Sequence, residues 1–432
     1  MTSPSATPPA SDGLTGGLAA ALASVLGAPV EVDRLCRLTG GASRETWSFT
    51  ANGDALILRR DPPGRPSAPG AMRREADAMR ACRRAGLRAP EVLLDDDGAS
   101  LGTAGLVMRH VPGETIARRI LRDEQYAGAR RVLVGDLARF LAGLHALDPA
   151  EIPGLESRDP LDESRARYER GEDRSPVFDK TRAWLLAHRP TPRAAVVVHG
   201  DLRLGNVIVD EHGLAAAIDW ELVQLGDPLH DLAYLCLKAW RFGGPGDAAG
   251  LGTVDELLSA YEASGGRPVD REAFHWWLVE RTYHWGIGCM AQGDAHLSGR
   301  VRSMELAAVG RRAAEQEWDL IELLAPDAAR AALDAPLPTP LPDDATLYGR
   351  PTARELLDAL AGFLTDDVAA SSDSRLAYQG RVAANVARMV ERELARPATR
   401  RAGDDWDTLA LDVRDRLAVA NPKHLFARSS GS

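Results

Sequence analysis

Lysine is almost missing from this sequence. Only Lys180, Lys238 and Lys423 are lysine among the 52 basic residues, and every other basic residue is arginine. A site that needs a positive charge before Lys180 must therefore use arginine. The planar guanidinium of arginine can pair with a carboxylate or a phosphate through two parallel hydrogen bonds.

The chain also lacks an excess of positive charge. Its 62 acidic residues outnumber the 52 basic residues, and the net charge is −10 over 432 residues. Proteins that bind nucleic acid do so largely through positive charge placed along the phosphate backbone. We therefore predict no nucleic-acid partner.

Paired cysteines, long apolar runs and a secretory leader are missing as well. The four cysteines show no C-x-x-C spacing, which argues against a disulfide framework or a cysteine zinc site. No apolar run approaches the roughly 18 residues of a membrane span, and residues 1–17 lack the basic and apolar segments of a signal peptide. We predict a disordered tail over residues 1–17 and a cytoplasmic protein with no membrane partner. The sequence leaves the oligomeric state open.

The first part of the chain predicts a small antiparallel sheet with one helix. The Asn52-Gly53 pair between the apolar runs Trp47–Ala51 and Ala55–Arg60 is typical of a β-hairpin, because both residues tolerate the positive φ of a type I′ turn. Apolar residues at helical spacing then predict a helix from Met72 to Cys82, which carries Glu75. Two further extended runs complete the sheet.

The pattern becomes mainly helical from Pro112 onward. Short apolar strands interrupt it at residues 194–198, 207–209 and 214–218. Four alternating prolines between Ala335 and Asp344 cannot continue a helix and predict a semi-rigid spacer. Two amphipathic helices follow the spacer. The whole pattern is that of an α+β protein with an added helical part.

A motif with the spacing of a kinase catalytic loop lies between the predicted strands. It reads His199-Gly200-Asp201-Leu202-Arg203-Leu204-Gly205-Asn206, and Asp219 follows two strand-like segments later. In such a loop the Asp accepts the proton of the attacking hydroxyl, and an Asn five residues later binds a metal ion. Phosphoryl transfer needs mainly positioning and charge neutralisation, so one base and two metal-binding oxygens must converge. The arrangement therefore predicts phosphoryl transfer.

The same residues make the chain resemble the aminoglycoside phosphotransferase-like enzymes, a kinase-fold family that includes choline-kinase-type members. The resemblance covers roughly residues 30–325. It implies a protein-kinase-like fold with a small antiparallel β N-lobe and a mainly helical C-lobe. It also implies that Asp201 is the catalytic base and that His199 supports the loop. Asn206 and Asp219 would be the Mg²⁺ ligands.

The resemblance assigns ATP-binding roles in the N-terminal part. Glycine lets backbone N–H groups approach phosphate oxygens, so Gly40 and Gly41, together with Ser43, would cover the phosphates of ATP. Met108 and His110 belong to the segment that would form the hinge, whose backbone meets adenine in this fold.

The strand lysine that contacts the α and β phosphates in this family is absent. Arg59 and Arg60 are the basic candidates on the corresponding strand, and Glu75 is the natural partner. Neighbouring strand residues face opposite sides, so alternation alone cannot choose between the two arginines. The resemblance favours Arg59; the alternative is that both are surface residues at the end of a strand.

Two later segments also match the family. Gly226–Ala233 resembles its next motif, in which Asp231 would brace the catalytic loop. The aromatic residues between Phe274 and Trp285 lie where the family places its acceptor pocket, although aromatics at helical spacing are more often part of a core.

The predicted domain boundaries follow from these features. We expect the disordered tail to end at residue 17 and the Pro-rich segment to link two folded parts. The kinase-like part before the linker consists of an N-lobe at residues 18–110 and a C-lobe at 111–334; the linker covers 335–347, and a helical domain at 348–432 follows it.

The expected activity is ATP- and Mg²⁺-dependent phosphoryl transfer to a hydroxyl of a small molecule. Arg203, two residues after Asp201, is awkward for a polycationic aminoglycoside, so an anionic hydroxy acid or a hydroxyacyl-CoA is preferred. Phosphorylation of an aminoglycoside or macrolide is one alternative. A nucleotide-binding pseudokinase is another, suggested by the missing lysine.

Overall fold

The structure is a computed structural model, and it describes residues 11–38, 44–64, 66–171, 173–343, 350–397, 401 and 403–426. The strands are β1 (Val32–Arg37), β2 (Glu45–Ala51), β3 (Asp54–Arg60), β4 (Val92–Asp96), β5 (Gly105–Arg109), β6 (Val196–Val198), β7 (Val207–Asp210), β8 (Gly213–Ala217) and β9 (Gln224–Gly226). The α-helices are α1 (Ser11–Leu26), α2 (Ala71–Arg84), α3 (Ala117–Arg122), α4 (Ala127–His145), α5 (Pro160–Arg170), α6 (Pro176–Ala187), α7 (Leu229–Tyr234), α8 (Val254–Ala263), α9 (Arg271–Leu297), α10 (Met304–Gly310), α11 (Ala313–Leu324), α12 (Pro326–Asp334), α13 (Ala353–Phe363), α14 (Ser374–Leu394) and α15 (Trp406–Ala420).

These elements form two compact units. The first unit comprises Met1–Ser157, Pro192–Cys236 and Trp240–Val269. The second comprises Arg158–Thr191, Leu237–Ala239 and Asp270–Ser432. None of the helices over the described ranges is both long enough and apolar enough to cross a bilayer.

A five-stranded sheet in the order β1-β2-β3-β5-β4 opens the first unit, and each neighbouring pair is antiparallel. In the turn between β2 and β3, Asn52 has φ 50° and Gly53 has φ 89°. Both lie in the left-handed region that a type I′ turn requires. The predicted hairpin is therefore confirmed.

Helix α1 packs on one face of this sheet. Leu18 and Leu22 are fully buried in a cluster that also contains Leu58 of β3. The helix begins at Ser11, so residues 11–17, expected to be part of a disordered tail, are helical. Burial of the apolar side chains of α1 against the sheet stabilises the helix, because it removes their surface from water.

Helix α2 packs against β4 and β5 and carries Glu75 among its buried residues. Side chains alternate along β3, so Leu58 and Arg60 share the face that α1 covers. Arg59 points to the opposite face, where it meets Glu75. The two arginines therefore lie on opposite faces of the sheet, and only Arg59 lies on the face of Glu75.

The remaining strands of the first unit frame the catalytic motif. β6 pairs with β9, and β7 pairs with β8. His199 follows β6 directly, Asn206 immediately precedes β7, and Asp219 lies two residues beyond β8. Helix α4 packs against β6 and β8 and so contacts both strand pairs.

The second unit is helical and is organised around α9. This helix packs against α5, α6, α10 and α11. Trp276 and Tyr283 are buried, and the indole Nε1 of Trp276 donates a hydrogen bond to the Leu185 carbonyl at 2.9 Å. These members of the aromatic cluster are core residues of the unit, as expected for aromatics at helical spacing.

The C-terminal helices belong to the same compact unit as α9. Helix α15, which the sequence pattern did not predict, packs against α11 and α12. Its buried Arg414 donates hydrogen bonds to the carbonyls of Ala332 and Ala335 at the end of α12. Residues 335–343 have no regular secondary structure, and residues 344–349 lie outside the described ranges. The linker and helical-domain boundaries stay predictions.

Candidate active site

A buried carboxylate shapes the loop that carries Asp201. Asp231, in α7, accepts the backbone N–H of His199 at 2.8 Å and that of Gly200 at 2.9 Å. The side chains of His145 and His230 also contact this carboxylate, at 3.3 and 3.4 Å. Burial raises the pKa of Asp231, but the hydrogen bonds from the two histidines outweigh burial, so its pKa lies well below the ordinary value.

The turn at Gly200 explains why this position is glycine. Its φ is 85°, a conformation that side chains disfavour. An added Cβ would also lie 2.4 Å from the Leu222 carbonyl oxygen. The loop therefore reverses direction tightly, immediately before Asp201.

His199 supports the loop with a neutral ring. Its Nδ1 accepts the backbone N–H of Asp201 at 3.3 Å, and its Nε2 faces the Ile218 carbonyl at 3.1 Å. Only a tautomer with hydrogen on Nε2 satisfies both contacts. Burial lowers the pKa of His199, which agrees with the neutral form.

Asp201 is held by two residues of its own loop. The Asn206 side-chain Nδ2 donates to the Asp201 carbonyl oxygen at 2.9 Å and to Asp201 Oδ2 at 2.6 Å. The Arg203 Nε donates to Asp201 Oδ1 at 3.2 Å. The carboxylate is thus oriented and mostly buried, with 13% of its side chain exposed.

Asp219 stands on a strained backbone. Its φ of 66° and ψ of 62° place it in the left-handed region, which is uncommon for aspartate. Arg59 Nη2 donates to Asp219 Oδ1 at 2.7 Å, although the two residues are 160 positions apart. Burial raises the pKa of Asp219, but the Arg59 charge and hydrogen bond outweigh it, so the pKa is lowered and the group is an anion at neutral pH.

Of the two candidate arginines, only Arg59 lies close to Asp219, with which it forms part of a cluster of charged side chains. Besides Asp219, it has Glu75 Oε2 at 3.8 Å and Glu221 Oε2 at 4.0 Å. Arg60 instead pairs with Glu45 at 2.9 Å on the other face of the sheet.

Arg44 is a member of the cluster that the sequence reasoning missed. Its Nη1 donates a short hydrogen bond to Glu75 Oε1, and its side chain is 7% exposed. Burial raises the pKa of Glu75, and the charges of Arg44 and Arg59 oppose the rise. The alternation of side chains in β2 indicates where Arg44 lies. Glu45 faces the side of the sheet that α1 covers, so Arg44, the residue before it, faces the side of α2.

The charges of the cluster suit a divalent cation. Two arginines face four carboxylates, namely Glu75, Asp61, Asp219 and Glu221. The acidic excess lies at the accessible end, where the Asp219 and Glu221 side chains are 30% and 27% exposed.

The donor set fits Mg²⁺ in particular. Asn206 uses its amide N–H group toward Asp201, which leaves its amide oxygen as the atom suited to a metal. In the described part of the chain, no group of three or more His, Cys, Asp or Glu side chains could hold a metal. Mg²⁺ commonly takes one or two protein oxygens and completes its shell with phosphate oxygens and water. Asn206 and Asp219 together fit that pattern.

The predicted ATP contacts of the N-lobe are placed only in part. Gly40, Gly41 and Ser43 lie outside the described residues. Met108 is a buried residue of β5. His110 follows that strand with an exposed side chain, and its N–H donates to the Ala55 carbonyl at 3.0 Å.

An aromatic segment beside the catalytic loop was also missed. The Arg203 guanidinium lies over the Trp240 ring, 4.6 Å from its centroid. Phe242, close to Trp240, has φ 51°, an outlier for a bulky residue. An added Cβ at Gly205 would meet both the Arg203 and the Phe242 side chains, at 2.5 and 3.6 Å. Backbone strain of this kind is found more often at functional sites than elsewhere.

We expect Asp231→Asn to destabilise the protein by about 2 to 4 kcal/mol at neutral pH, because it weakens two charge-assisted hydrogen bonds. The lowered folded-state pKa sets the pH dependence. The contribution of Asp231 is complete above the unfolded-state pKa of about 4 and is lost as the pH falls toward the folded-state value. Urea unfolding at about pH 7, 5 and 3.5 should therefore show a constant difference between wild type and variant until the last point, where it narrows.

Asp227→Asn is the matched control. Asp227 accepts the Leu229 N–H at the start of α7, and asparagine caps a helix about as well as aspartate. A loss of stability as large in Asp227→Asn as in Asp231→Asn would contradict the bracing role.

Two curated relatives are similar in sequence to about half of this chain. A mouse protein named acyl-CoA dehydrogenase family member 10 is 31% identical over 221 residues, which is 47% of this chain and 20% of that protein. A rat protein named acyl-CoA dehydrogenase family member 11 is 29% identical over 281 residues, or 59% of this chain and 35% of that protein. The chain thus spans only a fifth to about a third of the length of these relatives.

A solved structure shares the fold. A Ralstonia eutropha protein assigned to the aminoglycoside phosphotransferases superposes with a TM-score of 0.55 at 24% identity, covering 68% of this chain and 93% of that one. The expected kinase-like α+β fold is thereby confirmed. Residues 34–276, more than half of the chain, match the model of the phosphotransferase enzyme family. The chain therefore belongs to this family, whose members include the aminoglycoside phosphotransferases.

Proposed function

We propose that this protein is an ATP- and Mg²⁺-dependent phosphotransferase whose acceptor is a hydroxyl group of a small molecule. The observation that carries the proposal is the state of Asp201: Asn206 and Arg203 orient it in a loop that Asp231 braces. An oriented carboxylate beside a cluster with acidic excess is what a phosphotransferase needs as its base.

Each residue then has a definite task. Asp201 takes the proton of the acceptor hydroxyl while the hydroxyl oxygen bonds to the γ-phosphorus. The bond from that phosphorus to the β–γ bridging oxygen breaks, and ADP leaves. Arg59 neutralises charge on the phosphates. Asn206 and Asp219 would hold Mg²⁺, which supplies further charge neutralisation on the phosphate oxygens.

A pseudokinase is disfavoured by the same residues. Asp201, Asn206 and Asp219 are all present, and Arg59 supplies a cation where the strand lysine is missing.

The four described cysteines are free thiols, and ATP and reduced thiols both suit the cytoplasm, which we include in the proposal.

For the acceptor we propose an anionic hydroxy compound, either a hydroxy acid or a hydroxyacyl-CoA. Arg203 places a guanidinium 3.2 Å from the base and keeps it against Trp240. A cation there attracts an anionic acceptor and repels a polycationic one. The relatives named acyl-CoA dehydrogenases support an acyl-CoA among the acceptors. The name of the Ralstonia eutropha structure favours an aminoglycoside as the second candidate.

Asp201→Asn should reduce kcat by about 10²- to 10⁴-fold, because asparagine cannot take the proton in the transition state. Affinity for Mg²⁺ and ATP should change little, since Asp201 is not one of the expected metal ligands. Single-turnover kinetics and calorimetry separate the two quantities. Asp210→Asn, in the β7–β8 turn, is the control and should keep wild-type kcat; unchanged kcat in Asp201→Asn would refute the base.

Arg59→Ala should reduce kcat/KM for ATP by an amount equivalent to about 2 to 4 kcal/mol, because charge stabilisation of the triphosphate is lost. Arg60→Ala should have little effect, since Arg60 faces away from the cluster. Arg59→Lys should retain part of the activity, because the charge survives and the forked donor set does not. Equal effects of both alanine variants on ATP kinetics would contradict the assignment of Arg59.

Arg203→Gln tests the acceptor class. An acceptor screen with hydroxyacyl-CoAs, free hydroxy acids, neutral alcohols, an aminoglycoside and a macrolide first ranks the wild-type enzyme by kcat/KM. In the variant, kcat/KM should fall about ten-fold more for anionic acceptors than for neutral ones, because only the former lose a charge contact. The same loss for both classes would show that Arg203 acts on the base or the γ-phosphate and not on the acceptor.

A further inference from the structure

Glu75 is shared between two arginines on unequal terms. Arg44 Nη1 donates a hydrogen bond to Oε1, whereas Arg59 Nη1 lies 3.8 Å from Oε2. Oε2 accepts no hydrogen bond from the residues that the structure describes. The strand cation of the site is therefore the weaker partner of this glutamate.

Arg44 is anchored on its other side. Its Nε lies 3.5 Å from Asp61 Oδ1. Asp61 Oδ2 in turn accepts the backbone N–H and the hydroxyl of Ser67, at 2.7 and 2.8 Å. A guanidinium between two fixed and buried carboxylates has little freedom to move.

This arrangement decides where Arg59 is found. Because Arg44 occupies Oε1, Glu75 cannot offer both of its oxygens to Arg59, and the best partner left to Arg59 is Asp219 at 2.7 Å. Asp219 is 30% exposed, whereas Glu75 is almost fully buried. Arg59 is thereby held at the accessible end of the cluster, where incoming phosphates can replace Asp219 as its partner.

We propose that Arg44 is a positioning residue that keeps Arg59 available to the nucleotide by occupying Glu75. The proposal rests on the function proposed above, in which Arg59 contacts the phosphates of ATP. Arg44 itself touches neither substrate nor metal in this scheme.

Loss of Arg44 has a defined physical consequence. Without Arg44, the buried Glu75 carboxylate would have one oxygen newly free, and an unpaired buried carboxylate is strongly unfavourable. Arg59 is the nearest cation that can satisfy it, through two parallel hydrogen bonds. Arg59 would then move toward Glu75 and away from the nucleotide.

The experiment measures binding of AMP-PNP with Mg²⁺ by calorimetry, which needs no acceptor. Arg44→Met, which keeps length and removes charge, should weaken this binding about ten-fold. Adding Glu75→Gln to Arg44→Met should restore affinity to within about three-fold of the Glu75→Gln single variant, because an uncharged amide does not trap Arg59. A role of Arg44 in stability alone predicts no such rescue.

Arg60→Met is the matched control. Like Arg44, Arg60 is a buried arginine paired with a glutamate, but it and its partner Glu45 lie on the opposite face of the sheet. It should leave AMP-PNP affinity unchanged while lowering the melting temperature as Arg44→Met does. If Arg44→Met does not fold, Arg44→Lys replaces it: a lysine ammonium still occupies Glu75, so affinity should stay within about three-fold of wild type.

The outcomes separate the two proposals. If wild-type protein does not bind AMP-PNP with Mg²⁺, the proposed function fails. If wild type binds and folded Arg44→Met binds equally well, or if Glu75→Gln does not rescue it, the role of Arg44 is overturned. A ten-fold loss in Arg44→Lys would overturn it as well.

Discussion

The loop that carries Asp201 depends on one buried charge. Asp231 is fully buried and receives the N–H groups of His199 and Gly200. These two N–H groups lie where the chain leaves β6, so they form no hydrogen bonds with a neighbouring strand. Without their hydrogen bonds to Asp231, two backbone N–H groups and a carboxylate would be buried unpaired, which is unfavourable. Through these two backbone N–H groups, a residue 30 positions away in sequence fixes the turn that carries the candidate base Asp201.

A second constraint is that the cations around Glu75 and Asp219 are arginines. A lysine ammonium is a compact point charge, whereas planar guanidinium groups carry donors in fixed directions and can be laid side by side between several carboxylates. Arg59 contacts Glu75, Asp219 and Glu221 together, and Arg44 joins Glu75 to Asp61. The two arginines and their carboxylates therefore form a connected network, in which the hydrogen bond to Asp219 is the shortest contact of Arg59.

Sequence reasoning was strongest where spacing is local. The hairpin at Asn52-Gly53 and the loop from His199 to Asn206 depend on neighbours within a few residues, and both follow from turn and motif chemistry. The choice between Arg59 and Arg60 could not be made in this way. Because β3 carries apolar residues on both faces, its sequence does not show which face α1 covers. That phase is set by α1, a helix that covers one face of the sheet and begins inside the segment expected to be a tail.

The contacts that were missed are long-range. Arg44 and Glu75 are 31 positions apart, and Arg59 and Asp219 are 160 apart. Pairing over such distances is decided by the fold, and strand alternation indicates only the face on which such a residue lies. Trp240 and its strained neighbour Phe242 reach the catalytic loop for the same reason. A motif can therefore name the base and the metal ligands, while the residues that adjust them come into view only with the structure.

The distribution of lysine has a practical consequence. Lys180, Lys238 and Lys423 all belong to the second unit, so the unit that carries the candidate active site contains no primary amine on any side chain. Reagents that survey nucleotide-binding proteins by transferring an acyl group to a lysine in the cleft require such an amine, and a guanidinium stays protonated and does not react in its place. In such a survey the candidate active site of this protein would stay unlabelled, and the lack of a label would say nothing about whether the protein binds ATP.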